Sequence, residues 1–174
     1  MSHSQWEKKK YKKAASEGKT SKLFSKLVRA ITMEAKKANG NRESPALKLM
    51  IGKARDVNMP NDNIERAIKK ATEPGAAMER ITYEGYGPGG VGIIIEALTD
   101  SRNRASQEIK FILSKHESNL GAIGSVTWSF TKGENSWKPT TTIPLEDTDS
   151  DRLIALVEEL EDNDDIQEVF TNAE

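Results

Sequence analysis

Residues 83–97, "YEGYGPGGVGIIIEA", restrict the fold of this chain more than any other stretch. Gly85, Gly87 and Gly90 match the G-x-G-x-x-G spacing that cradles phosphates. That spacing works only where a strand leads in and a helix opens directly behind it, so that helix N-terminal amides meet the pyrophosphate. Here Val91, Ile93, Ile94 and Ile95 follow, a β-branched run of strand character, and Ile81 and Tyr83 alternate ahead of it. Two strands joined by Gly87-Pro88-Gly89-Gly90 predict a β-hairpin, because Pro and Gly supply the turn dihedrals. No nucleotide, and no other cofactor, is expected there.

The chain ahead of the hairpin has a helical period. Leu23, Phe24, Leu27, Val28, Ile31 and Ala35 fall on one face of a helix capped by Thr20 or Ser21 and stopped at Asn39-Gly40. Lys22, Lys26, Arg29, Lys36 and Lys37 fall on the other. Ser44-Pro45 opens a second helix with Leu47, Met50, Ile51 and Ala54 inward, ended by Met59-Pro60. A third is expected from Asp62, with Glu65 at capping-box spacing and Ile64, Ala67, Ile68 and Ala71 buried. Three amphipathic helices predict a small bundle, followed by a linker at 73–77.

Behind the hairpin, a helix is predicted near 103–117, with Ala105, Ile109, Ile112, Leu113 and His116 on one face. In "SVTWSFT", Val126, Trp128 and Phe130 alternate as in a strand, "TTTIPL" is a candidate edge strand, Leu153–Leu160 are helical and "DIQEVFT" closes as a strand. The expected fold class is α+β: an N-terminal three-helix bundle in a domain spanning 1–75, then a domain spanning 76–174 with a mostly antiparallel sheet and two helices.

Charge divides the chain at the same place. The net charge is -1, yet residues 1–72 carry 18 Lys+Arg against 7 Asp+Glu and residues 73–174 carry 8 against 20. A merely solvated surface interleaves the two signs, so a basic half this dense points to a polyanion, of which nucleic acid is the commonest. In the N-terminal arm, Trp6 and Tyr11 interleave with Lys8, Lys9, Lys10, Lys12 and Lys13. Lysines there could neutralise phosphates while the rings stack on bases or, alternatively, dock on the bundle. Lys19, Lys22, Lys26 and Arg29 extend the basic set, and Arg102 and Arg104 of "SRNR" offer a second contact. Gly18-Lys19-Thr20 resembles the end of a phosphate loop, but Lys13 occupies the place of its first glycine.

Catalytic chemistry is sparse. There are no cysteines and only two histidines, which leaves little for a metal. His116 lies on an apolar face. Asp147, Asp149, Asp151 and Glu158 have calcium-loop spacing, but Arg152 replaces the required glycine within a helical sequence. No apolar run reaches the ~18 residues of a membrane span and no secretory leader is evident, so a cytoplasmic protein is expected.

Four motifs in order, "NMPNDNIERAIKK", "YEGYGPGGVGIIIEALTDSRNR", "SKHESNLGAIGSV" and "LEDNDDIQEVFTN", resemble the YebC/PmpR family of transcriptional regulatory proteins, which also includes a mitochondrial translational activator. The resemblance implies a helical N-terminal domain followed by α/β material, no established enzymatic activity, and roles in DNA binding or in assisting the ribosome. Two basic positions of the family differ here: its Gly-His-Ser-Lys-Trp is Ser2-His3-Ser4-Gln5-Trp6, and its Lys-Arg-Gly-Lys is Lys19-Thr20-Ser21-Lys22. Most members also insert a further domain after the stretch matching "SVTWSF", which this chain lacks, so it resembles a compact form. The resulting expectation is a non-enzymatic nucleic-acid-binding regulator of gene expression, DNA-binding in transcription. The alternative is a ribosome-associated translation factor on ribosomal RNA. No small-molecule substrate or membrane partner is expected.

Overall fold

A computed structural model describes Trp6 and residues 20–74, 78–134 and 136–174. They form two compact units, Lys19–Glu79 and Arg80–Glu174, and Trp6 belongs to the second.

The first unit is the expected bundle of α1 (Thr20–Lys37), α2 (Pro45–Asp56) and α3 (Asn61–Lys70). Leu27, Ile31 and Ala35 of α1 close on Leu47, Ile51 and Ala54 of α2 and on Ile64, Ala67 and Ile68 of α3. The helical period is thus realised as a three-sided core. Leu23, placed on the apolar face by the period, is 43% exposed, and the buried part of that face begins at Leu27. α1 stops where Asn39 and Gly40 adopt positive φ and Gly40 N–H returns to the Ala35 carbonyl at 2.8 Å, a left-handed terminus. The expected capping box at Asp62 is absent. α3 begins one residue earlier, after Pro60 and without a side-chain cap, and Glu65 instead receives a two-pronged hydrogen bond from Arg42. The Thr32 hydroxyl, 2.9 Å from Val28 O and 3.2 Å from Ala67 O, ties α1 to α3 inside the core.

The second unit carries β1 (Glu79–Tyr86), β2 (Gly92–Thr99), α4 (Arg102–Lys115), β3 (Asn119–Leu120), β4 (Phe130–Lys132), β5 (Trp137–Pro139), α5 (Asp147–Asp162) and β6 (Ile166–Thr171). β3, β1, β2 and β6 form one sheet in that order, and β4 pairs with β5 in a separate hairpin. The glycine run is the turn between β1 and β2, as expected. Gly89 and Gly90 take positive φ, and Gly87 N–H reaches the Val91 carbonyl at 2.9 Å. β2 explains its own β-branched run, because both its faces are buried. Ile93 and Ile95 face Ile109, Leu113, Leu153 and Leu156 of the helices, whereas Ile94 packs with Val126, Phe130, Trp137 and Phe170 on the hairpin side.

Three expectations are corrected in this unit. "SVTWSFT" is a 3-10 turn over Thr127–Ser129 followed by the short β4, and Trp128 is 72% exposed rather than inward. Within "TTTIPL" only Ile143 pairs, in a single parallel bridge to Ala173, and the strand lies earlier, at β5. Trp6, read as a ring available to bases, is 5% exposed and packs in the core with Val91 and Leu153. The acids Asp147, Asp149 and Asp151 lie on α5, the first two in its opening turn, where the helix dipole favours negative charge. No cluster among the described residues could hold a metal ion, and no described helix is long and apolar enough to cross a membrane.

Candidate nucleic-acid interface

The charge asymmetry survives translation into three dimensions. The helical unit, Lys19–Glu79, has 13 Lys+Arg against 7 Asp+Glu, and the stretch Arg80–Glu174 has 8 against 18, with 5 against 2 in the N-terminal arm, residues 1–18. On α1, Lys22, Lys26 and Arg29 are half-buried, while Lys36 and Lys37 in its last turn are exposed. α3 packs against α1 and contributes exposed Arg66, Lys69 and Lys70. Between the two helices lies an open cleft of ≈ 250 Å³, with Val28 and Ala67 as its floor and Asn63, Arg66 and Lys70 at its rim. Arg66 is oriented by its own helix, with Nη2 donating to Asn63 Oδ1 at 2.5 Å and Nε to Asp62 O at 3.3 Å. An apolar floor with a cationic rim suits a sugar-phosphate backbone, whose sugars are apolar on one side and whose phosphates are anionic.

Arg66 and Lys70 are absent from the set read from sequence. Their i, i+4 spacing on the polar side of "NIERAIKK" was a usable signal, since such residues are neighbours on a helix surface. Lys8, Lys9, Lys10, Lys12, Lys13 and Lys19 lie outside the described residues.

The second predicted contact, "SRNR", divides. Arg102 is exposed in the first turn of α4. Arg104, by contrast, is committed within the protein. Its Nη2 donates to Asp165 Oδ2 at 2.9 Å and to Asp100 Oδ1 at 2.8 Å, and Nε to Asp165 Oδ2 at 3.3 Å. Hydrogen bonding to Asp165 and then Asp100 holds the guanidinium even more firmly protonated than usual. Asp165 is buried, also accepts from the Thr99 hydroxyl at 3.2 Å, and so joins the end of β2 to α4 and the approach to β6. His116 follows α4 with Nε2 2.6 Å from Glu159 on α5, and Lys115 takes the other oxygen of the same carboxylate at 2.6 Å. Hydrogen bonds from Lys115 and then His116 hold the Glu159 carboxyl below its usual range. This is a helix-to-helix clamp rather than a general base poised in a cleft.

One acidic residue has a role that no sequence motif announced. Glu84, on β1, is 6% exposed, and its carboxylate accepts backbone N–H groups from Gly124 at 2.7 Å, Val126 at 3.0 Å and Thr127 at 2.8 Å. Burial pushes its pKa up, but the backbone donors outweigh that effect and leave it below the ordinary value.

Comparison with known proteins agrees with this architecture. The family descriptions "TACO1/YebC protein N-terminal domain" and "TACO1/YebC second and third domain" match residues 4–74 and residues 78–135 and 131–173. A "Probable transcriptional regulatory protein" of Dictyoglomus turgidum is 44% identical over 176 residues, covering 99% of this chain and 71% of its own. One of the same name from Rubrobacter xylanophilus is 36% identical over 234 residues, covering 98% and 94%. That alignment is longer than this chain, so the relative carries residues with no counterpart here. The crystal structure of the conserved hypothetical protein Aq1575 from Aquifex aeolicus superposes with a TM-score of 0.82 at 30% identity, over 91% of each chain. The two stretches matched by the second description overlap at 131–135, inside the β4–β5 hairpin. The chain therefore belongs to the TACO1/YebC family, as a compact member.

Proposed function

We propose that this protein is a regulator of gene expression that acts by binding nucleic acid, with DNA as the first candidate, mainly through its helical unit and without catalysing a reaction. The observation that carries the reading is the segregation of charge along the chain, 13 cations against 7 anions in the helical unit Lys19–Glu79 and 8 against 18 over Arg80–Glu174. A polyanion gains counterion-release free energy on the first unit and is repelled by the second. The names of the relatives support regulation of transcription. Contacts are assigned to Lys22, Lys26 and Arg29 of α1, to Arg66 and Lys70 at the cleft rim, to exposed Arg102, and to the arm lysines. Phosphate contacts of this kind position a protein without reading sequence. The test is capture of genomic DNA fragments by the full chain, run in parallel with co-sedimentation with ribosomes. Saturable, salt-sensitive DNA capture supports the reading. Ribosome association that duplex DNA does not compete away would move the target to ribosomal RNA.

A further inference from the structure

The loop at 121–129 presents an apolar, aromatic surface that the fold has no use for. Ile123 is 99% exposed, Trp128 72% and Tyr86, beside it at the end of β1, 43%. An exposed Ile or Trp alone is unremarkable, but Ile123 and Trp128 sit on a loop, with Tyr86 against it, that is held in place from beneath. Glu84 binds three of its backbone amides, Gly121 N–H donates to Glu84 O at 2.8 Å, and a Cβ at Gly121 would come within 3.3 Å of the Tyr86 ring.

The polar edges of both rings are also used internally. Trp128 Nε1 donates to Ser125 O at 2.8 Å and Tyr86 Oη donates to the same oxygen at 2.9 Å. The two rings are therefore neighbours on one anchor, and what they offer outward is π face. Charge in this region differs from the rest of its unit. From Ser118 to Leu145 the only acid is Glu134, against Lys132 and Lys138 on the hairpin that continues from the loop.

We propose that this loop is a stacking site for unpaired bases of a nucleic acid, with Trp128 and Tyr86 receiving base faces and Ile123 entering as an apolar wedge. The proposal rests on the nucleic-acid reading above and deepens it, by naming an interrupted strand rather than continuous duplex as the favoured ligand. Stacking suits rings whose hydrogen-bonding edges are occupied, because it needs faces only and tolerates any base. Apolar wedges inserted between base steps are most effective on a rigid support, where no ordering entropy is lost on binding. A protein partner would find the same rings, but the acid-poor stretch around them favours a polyanion within a unit that otherwise repels one.

The test uses the full chain and four labelled probes: a DNA duplex, the same duplex with an unpaired bulge, and the RNA version of each. Binding to the bulged probes should be about tenfold tighter than to the duplexes, the scale of one stacked base. Trp128→Ala should abolish that preference and leave duplex affinity within about twofold. Ile123→Ser, at a fully exposed position that cannot unfold the unit, should reduce the preference in the same direction. Whether DNA or RNA bulges are favoured identifies the source of the strand. Equal affinity for bulged and continuous probes, or a preference that survives both substitutions, overturns the stacking site while leaving the duplex reading intact. Absence of binding to all four probes removes both.

Discussion

The Glu84 carboxylate lies 2.7 Å from Gly124 N–H, forty residues away along the chain, and this contact joins the glycine hairpin to the loop that displays Trp128. Because a buried acceptor serves three donors, Glu84→Gln should destabilise the unit by ~1–3 kcal/mol, the amide group facing at least one N–H that it cannot accept. Its folded pKa is depressed, so its contribution is fully present above the ordinary glutamate range, ~4.3, and is lost as pH falls through the lower folded value. Thermal unfolding followed from neutral pH to about pH 3 should therefore show an acid-side loss of stability that the Gln variant shows to a smaller degree.

Arg104 and Asp165 give a second expectation, which separates a structural cation from a ligand-binding one. Arg104→Gln should lower the melting temperature while leaving nucleic-acid affinity and its salt dependence unchanged, since the guanidinium is occupied by Asp165 and Asp100. Arg104→Lys should not restore stability, because a single ammonium cannot reproduce the forked contact. A drop in affinity without a drop in melting temperature would return Arg104 to the binding surface.

For the β1–β2 turn, Gly89→Ala should cost about 1–2 kcal/mol, because φ is +71° and an added methyl would also press on Leu145. Calorimetric unfolding measures it. Calorimetric titration with ATP, GTP or NAD should show no saturable binding, as the turn leads into a strand and not into a helix N-terminus.

On the helical unit, replacing Lys22, Lys26 and Arg29 together by Gln should leave the circular dichroism spectrum intact and weaken nucleic-acid binding. Each lost phosphate contact flattens the slope of log K against log salt by about 0.7–0.9, so the triple change should flatten it by about 2 if all three touch the backbone. An unchanged slope would shift the contacts to Arg66, Lys70 and the arm.

Trp137, on β5, packs in the hairpin-side cluster and donates from Nε1 to Glu96 at 2.8 Å. Trp137→Ala should cost about 2 kcal/mol, below the usual range for a core tryptophan because the ring is only half-buried. Denaturant unfolding would show whether this hairpin, where the two stretches matched by the second family description overlap, is needed to cover Ile94.

What the sequence determined by itself was whatever repeats along it. Leu27, Ile31 and Ala35 recur at the helical period, Ile93 to Ile95 form a β-branched run behind a Gly-Pro turn, and lysines concentrate before residue 72. Each of these is set by local backbone geometry or by simple addition of charge, so bundle, hairpin and electrostatic polarity were all legible. Tertiary structure alone decided the fate of single residues. Trp6 is drawn into the core of a unit that begins far along the chain, Trp128 is turned outward by a 3-10 turn inside an apparent strand, and Arg104 is taken by an aspartate sixty-one residues away. Glu84 shows the reason most plainly: a carboxylate on a strand carries no periodic signal, and only closure of the 121–129 loop over it makes burial favourable, by supplying three amides in place of water.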